Sequence, residues 1–134
     1  MAKRKARSKV KSRSKAKPGK TISVAALKRA IEGRDARTMS GFYSENAELH
    51  IVDRDNPPSR PNTIVGKDAI TSFFNDVCGR DMTHKLEQGV ADDRHIAFTQ
   101  SCAYPDGTKV LCSTMIELKD GKIARQTVVQ AWDG

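Results

Sequence analysis

The chain has 134 residues, of which 24 are Lys or Arg and 16 are Asp or Glu, so its formal net charge is +8. Residues 1–20 hold ten of the basic residues and no acidic one, which leaves 14 basic and 16 acidic residues in residues 21–134, a net charge of −2. The excess of positive charge therefore lies in the first 20 residues. The net negative charge of residues 21–134 excludes a basic nucleic-acid-binding domain there.

Residues 21–134 have the length of one domain, and such a domain buries a core without disulfides. No apolar run approaches the ~20 residues of a membrane span, and no apolar stretch of a secretory signal follows the basic residues. The cysteines, three in number, show no C-x-x-C spacing. They predict free thiols in a cytoplasmic protein, with no metal site and no cofactor.

Residues 1–20 contain no aromatic residue and few apolar ones. Because this segment can bury little apolar surface to offset the conformational entropy lost on folding, it is predicted to be disordered. Three roles stay open: a solubilising extension, weak nucleic-acid contact through phosphates, or a nuclear import signal at the basic residues 3–5. The missing aromatic residues argue against stacking on single-stranded bases.

Helical spacing of apolar residues predicts a first helix that begins after Thr21 or Ser23 and ends at Gly33. Its apolar positions are Val24, Leu27, Ala30 and Ile31. A second, short helix is predicted to begin at Asp35. Its apolar side is Met39, Phe42 and Tyr43.

From residue 46 the apolar period changes to two, which predicts a strand through Ile51. The Pro- and Asp-rich residues 53–62 predict a loop. Gly66 then precedes a third helix over residues 67–78. The side chains expected to face inward from this helix are Ala69, Ile70, Phe73, Phe74 and Val77.

After Gly79 the pattern predicts only strands, over residues 82–91, 95–104, 108–118 and 122–132. Asp- and Gly-rich turns separate them, and Asp-Gly pairs are strong hairpin signals. Helices grouped ahead of an antiparallel sheet predict the α+β class.

Four stretches carry a resemblance to a known family: residues 31–35 (IEGRD), 42–47 (FYSENA), 66–74 (GKDAITSFF) and 118–123 (LKDGKI). In this order they resemble the SnoaL-like branch of the nuclear transport factor 2 superfamily, also called the ketosteroid-isomerase-like fold. The resemblance implies a cone, in which a curved antiparallel sheet wraps around three helices and leaves an apolar pocket at its open end. Isomerases, cyclases, dehydratases, epoxide hydrolases and non-catalytic binders share this fold, so it does not assign an activity.

Alternation along the strands predicts which side chains face the pocket. On the strand over residues 82–91, the apolar residues Leu86 and Val90 predict that even-numbered positions face inward. His84 and Gln88 are therefore also expected to face the pocket. On the last strand the resemblance implies that Ala124 and the even-numbered residues after it face inward, while Ile123 and the odd-numbered ones form an outer homodimer surface. The predicted pocket lining is Ile51, Phe98, Gln100, Cys102, Cys112, Thr114, Gln126, Val128, Gln130 and Trp132.

This lining suits a small, mostly apolar organic molecule held by a few hydrogen bonds. The alternative is that the glutamines pair with one another and fill the cone. Steroid isomerases of this fold use an Asp base and an oxyanion hole of Tyr and protonated Asp. The resemblance places these three groups at Ile51, Leu27 and Thr114, none of which fits, and this argues against that mechanism.

Two ionisable residues remain as candidates for acid–base chemistry. Asp53 lies one pleat beyond Ile51 at the strand end, and His84 is a histidine, the residue type best suited to proton transfer near neutral pH. We predict that they form a catalytic pair with Tyr104 as a hydrogen-bond donor. The competing interpretations are that Asp53 caps a turn and that His84 is a core histidine. Two functions therefore remain possible from the sequence. One is an isomerase, cyclase or hydrolase, and the other is a non-catalytic ligand-binding or dimerisation module.

We expect any nucleic-acid binding to depend on residues 1–20, because residues 21–134 carry a net negative charge. Deleting residues 1–20 should abolish binding to duplex DNA in a filter-binding or anisotropy titration, and binding by the full chain should weaken steeply with salt. The melting temperature should change by only about a degree or two. Salt-resistant DNA binding by the truncated chain would contradict the prediction.

Overall fold

The structure, a computed structural model, describes residues 22–134 and contains three helices and six strands within them. The elements are α1 (Val24–Glu32), α2 (Ala36–Gly41), β1 (Tyr43–Val52), β2 (Asn62–Val65), α3 (Lys67–Cys78), β3 (Thr83–Ala91), β4 (His95–Ala103), β5 (Lys109–Lys119) and β6 (Lys122–Trp132). The predicted α+β class is confirmed. The predictions made for residues 1–20 and Thr21 lie outside the described residues. None of the described helices has the length and apolar composition needed to cross a membrane.

The helix ends follow the capping residues in the sequence. The Ser23 hydroxyl accepts a hydrogen bond from the Ala26 amide at 3.0 Å, and the Asp35 carboxylate accepts one from the Thr38 amide at 3.1 Å. Such caps satisfy amides that have no partner inside the helix. The starts of α1 and α2 are therefore as predicted, and α3, which has no side-chain cap, also has its predicted bounds.

The six strands form one curved, unclosed sheet in the order β2-β1-β6-β5-β4-β3. The last four strands are the predicted antiparallel meander. β1 pairs with β6 in parallel, from Tyr43 opposite Ile123 to Val52 opposite Val129. The sheet is therefore mixed at this one junction, where an antiparallel pair was expected.

Two local predictions around β1 are wrong. Tyr43 was placed on the second helix, but it is the first residue of β1 and is 3% exposed. Residues 62–65 were left in or beside a loop, but they form β2, whose Ile64 lies opposite Leu49 of β1. β2 has only four residues and mostly exposed side chains, so it carries almost no hydrophobic pattern.

A bulge in β3 reverses the predicted parity of its second half. Leu86 and Gln88 pair with consecutive residues of β4, so Glu87 is an extra residue. The inward face therefore passes from Leu86 to Gly89. Val90 is 71% exposed, and Gln88 lies on the outer face with it, against the prediction for both.

A second bulge corrects the prediction for the start of β6. Glu117 pairs with Arg125 and Leu118 with Ile123, so Ala124 is the extra residue. Ile123 therefore faces inward and is fully buried, where an outward position was predicted. On α3, Ala69 is also exposed instead of inward.

The core lies between the inner face of the sheet and the helices, and α1 packs closely on β3. A Cβ atom on Gly89 would lie 3.0 Å from Val24 Cγ1 and 3.1 Å from the Phe98 Cβ. Few Cβ atoms make contacts this short, so the missing side chain at Gly89 is what lets the helix approach the strand.

Side chains of α1 also bind the free edge of β3. The Leu86 amide donates to Glu32 Oε2 at 3.0 Å, and Lys28 Nζ donates to the Leu86 carbonyl at 3.2 Å. Lys28 and Glu32 form an ion pair at 2.6 Å. Both backbone groups of Leu86 are therefore occupied beside the bulge.

Candidate functional site

A cavity of about 260 Å³ lies between the helices and the inner face of the sheet. The helices contribute apolar side chains, among them Leu27, Ile31 and Phe74. The strands contribute both apolar and polar ones. The wall is therefore largely apolar, with polar groups at separated points.

Two buried polar groups of the wall are a tyrosine and a glutamine on the paired strands β1 and β6. The Tyr43 hydroxyl donates a hydrogen bond to Gln126 Oε1. The two residues are 3% and 7% exposed, and Thr114 nearby on β5 is 5% exposed. Burial raises the pKa of Tyr43 far above its usual range, so its hydroxyl stays protonated and can donate.

The mouth of the cavity is lined by Tyr104, Trp132 and Arg80, and Arg54 packs on the Trp132 ring without lining the cavity itself. The rings of Tyr104 and Trp132 stack with centroids 5.8 Å apart, and the guanidinium of Arg54 lies 4.3 Å from the Trp132 ring centroid. Arg80 donates to the Tyr104 hydroxyl at 3.3 Å and to Asp76 at 2.7 Å. These contacts join four separate chain segments around the opening.

A cluster of His84, Gln100 and Cys102 occupies the wall where β3 and β4 pair. His84 Nδ1 lies 3.2 Å from the Cys102 sulfur, and Gln100 Nε2 lies 3.1 Å from His84 Nδ1 and 3.3 Å from the same sulfur. His84 Nε2 is buried and has no hydrogen-bond partner within residues 22–134. A buried polar atom without a partner lowers the stability of the fold, so His84 is a candidate for a functional role.

Cys112 extends this cluster from β5. Cys112 pairs with Gln100 and Cys102 pairs with Val110, so the two cysteines are diagonal neighbours on one face. Diagonal neighbours lie about 7–8 Å apart, whereas the Cα atoms of a disulfide lie roughly 4.4–6.8 Å apart. Both thiols are free.

The predicted pocket residues all lie on the cavity wall. The alternative in which glutamines pair with one another is not what the structure has. Gln126 bonds Tyr43, Gln130 accepts from the Trp132 indole at 3.0 Å, and Gln100 contacts His84. The glutamines therefore leave the cavity open.

The predicted catalytic residues Asp53, His84 and Tyr104 also lie on this wall, but the structure does not join them into one group. Asp53 Oδ1 accepts from the amides of Asp55 and Asn56 and from the Asn56 side chain, each at 2.9 Å. This is a turn cap at the end of β1. β1 is second and β3 sixth in the sheet order, and no hydrogen bond links Asp53 to His84. Their catalytic roles remain predictions.

Tyr43 and Arg80 of the cavity wall were missed from the sequence, and so was Arg54, which packs on the Trp132 ring. Tyr43 shares the parity of Leu49 and Ile51, so extending the strand pattern backwards would have found it. The arginines have no such signal, because each reaches the mouth from a loop or a turn. Within residues 22–134 no group of three or more His, Cys, Asp or Glu side chains is arranged to hold a metal ion.

Comparison with protein families shows that the model of the SnoaL-like domain matches residues 24–126. This confirms the resemblance found in the sequence. A search of curated proteins finds no match to the chain.

Several solved structures have the same fold. A candidate ketosteroid isomerase from Kribbella flavida is 16% identical, with a TM-score of 0.67 over 80% of this chain and 73% of that one. An NTF2-like protein from Mesorhizobium loti is 12% identical, with a TM-score of 0.70 over 78% of this chain and 84% of that one. A candidate isomerase from Rhodopseudomonas palustris is 16% identical, with a TM-score of 0.59 over 79% and 84%. At these identities the likeness concerns the fold alone.

Replacing Tyr43 with Phe should destabilise the protein by about 1–3 kcal/mol, because Gln126 Oε1 would lose its buried donor. The matched control is Tyr104→Phe at the half-exposed mouth, which should cost less than about 0.5 kcal/mol. Urea unfolding followed by circular dichroism measures both. Equal effects of the two substitutions would show that the buried hydrogen bond does not contribute as described.

Proposed function

The chain belongs to the SnoaL-like domain family, and we propose that it binds one small, largely apolar organic molecule inside its cavity. The observation that carries the proposal is the open cavity of about 260 Å³ with an apolar wall and separated polar groups. A cavity of roughly 150 Å³ already binds benzene. The space here suits a molecule of one or two rings.

The polar groups indicate what the molecule carries. Tyr43, Thr114 and Gln126 are neutral and buried at the inner part of the wall. Of the described residues that line the cavity, Asp53 at the mouth is the sole carboxylate. Burying a charged ligand group without an opposite charge is costly. The favoured ligand therefore places a neutral oxygen, such as a carbonyl or hydroxyl, at the inner end.

Filling the cavity should abolish this binding. Val128 lies on the wall and is 9% exposed, so Val128→Phe should weaken binding of cyclohexanone by at least roughly tenfold in an NMR titration, since the ring would occupy the ligand's space. Val65→Phe on the exposed side of β2 is the matched control and should bind as the original protein does. Unchanged binding in Val128→Phe, with the fold intact, would place the ligand elsewhere.

A second candidate function is cofactor-independent acid–base catalysis, as an isomerase, cyclase or hydrolase. It is supported by the presence of Asp53, His84 and Tyr104 on one cavity wall, and two of the structures with the same fold are described as candidate isomerases. Acid–base groups typically contribute on the order of 100- to 10,000-fold in rate. In this proposal Asp53 takes a proton from a ligand that enters only part of the way.

The catalytic proposal predicts that 3-cyclohexen-1-one is converted to its conjugated isomer, which absorbs in the ultraviolet. Asp53→Asn should lower this rate by roughly 100-fold or more and leave stability nearly unchanged, because Asn also caps turns. Asp55→Asn in the same loop is the control. Equal rates in the two variants would exclude Asp53 as the base and favour a non-catalytic binder.

We also propose that two copies associate through the outer sheet face. Large apolar side chains are exposed on this face, with Leu111, Met115 and Val129 each about half exposed. They lie side by side, because Met115 and Val129 belong to the paired strands β5 and β6. An apolar patch of this kind is typical of a protein interface.

Met115→Glu should convert the dimer to a monomer in size-exclusion chromatography with light scattering, because it would bury an unpaired charge in the interface. Asn75→Glu, at an exposed position of α3 away from the outer sheet face, is the charge-changing control. A monomeric original protein, or a dimer that survives Met115→Glu, would contradict the proposed interface.

A further inference from the structure

We propose that Cys102 is a nucleophile that forms a thioether with an α,β-unsaturated carbonyl compound in the cavity, and that His84 accepts and returns the proton. This rests on the proposed function, because the electrophile has to enter the cavity. It adds a covalent activity to Cys102, which the sequence placed on the pocket lining as a free thiol without a chemical role.

The first support is geometry. Cys102 lies on the cavity wall, and its sulfur is 3.2 Å from His84 Nδ1. A sulfur and an imidazole nitrogen at this distance can exchange a proton directly. His84 and Cys102 are held in position because they face each other on the paired strands β3 and β4.

The second support is the set of donors around the sulfur. The neighbouring thiol of Cys112, together with the contacts of His84 and Gln100, lowers the pKa of Cys102 and outweighs the opposing effect of burial. The titratable groups acting on the sulfur are thus His84 from β3 and Cys112 from β5. The pKa of Cys112 is raised by the neighbouring Cys102 and by burial, so Cys112 keeps its proton. The thiolate, not the thiol, is the reactive form.

The third support is contrast within the chain. Cys78 also lines the cavity, but its sulfur contacts the Met39 sulfur at 3.9 Å and no histidine. Burial raises the pKa of Cys78. Two thiols that share one cavity therefore differ in reactivity for a physical reason, and Cys78 serves as an internal control.

The proposed step balances without an oxidant or a reductant. The thiol proton passes from Cys102 to His84 Nδ1. The sulfur electron pair forms a C–S bond with the β-carbon of the ligand, the C=C π bond breaks, and its electron pair moves toward the carbonyl oxygen as an enolate. The proton on His84 then returns to the α-carbon. The product is a saturated thioether, and the reverse sequence releases the ligand.

The test uses the full chain, reduced and then desalted under nitrogen, with 2-cyclohexen-1-one as the electrophile. Cyclohexanone, a saturated compound of nearly the same size, reports reversible binding by NMR. Borohydride reduction of the ketone traps the adduct, and peptide mass spectrometry identifies the modified cysteine in the original protein. Cys102→Ser should give no adduct, whereas Cys78→Ser should react normally.

His84→Gln should slow adduct formation by roughly 100-fold near neutral pH and should move the pH midpoint of the reaction upward, a change that a merely structural role would not produce. Binding of cyclohexanone with no adduct, or first modification at Cys78, overturns this inference and leaves the proposed function standing. Absence of both binding and adduct overturns the two together. Because the adduct is mapped in the original protein, the result does not depend on the folding of any variant.

Discussion

The parallel pairing of β1 with β6 is the constraint on which the rest of the structure depends. Parallel neighbours need a long crossover, and here the crossover contains β2, α3 and the first three strands of the meander. The pairing brings the first strand of the chain against its last, and so places Tyr43 within hydrogen-bonding reach of Gln126. Both paired strands contribute to the cavity wall, with Leu49 and Ile51 from β1 and Gln126 and Val128 from β6.

The strand bulges explain where sequence reasoning succeeded and where it failed. Caps and long periodic segments predicted α1, α3 and the meander, because Ser23, Asp35 and the turn glycines act locally. Alternation also placed residues such as Phe98 and Thr114 on the inner face. It failed at Val90 and Ile123, because the extra residues Glu87 and Ala124 reverse the parity without any mark in composition. The turn cap made by Asp53 had a signal in the sequence, because Asp at the start of a loop rich in Asp and Pro often caps a turn.

The polar groups of the wall show how a largely apolar cavity keeps chemical function. Tyr43 and Gln126 satisfy each other, which removes most of the cost of their burial. The cluster around Cys102 is different, because donors converge on one sulfur while His84 Nε2 has no partner within the described residues. Natural proteins tend to break the rules of polar satisfaction at functional sites. The ring of His84, whose Nε2 lacks a hydrogen-bond partner, therefore lies beside Cys102, the thiol that receives the most polar contacts.

The binding of Leu86 by Lys28 and Glu32 has a consequence for how copies of the chain meet one another in a crowded solution. β3 is one of the two outermost strands of an unclosed sheet, and an exposed outer strand invites pairing with a foreign chain and the growth of fibrils. The helix side chains occupy the amide and the carbonyl at this point, and the neighbouring bulge distorts the strand. The pKa of Glu32 is lowered by its hydrogen bond with Lys28, so the contact between Glu32 and the Leu86 amide persists as the pH falls through the ordinary carboxyl range and weakens only in stronger acid, where this outer strand loses part of its cover.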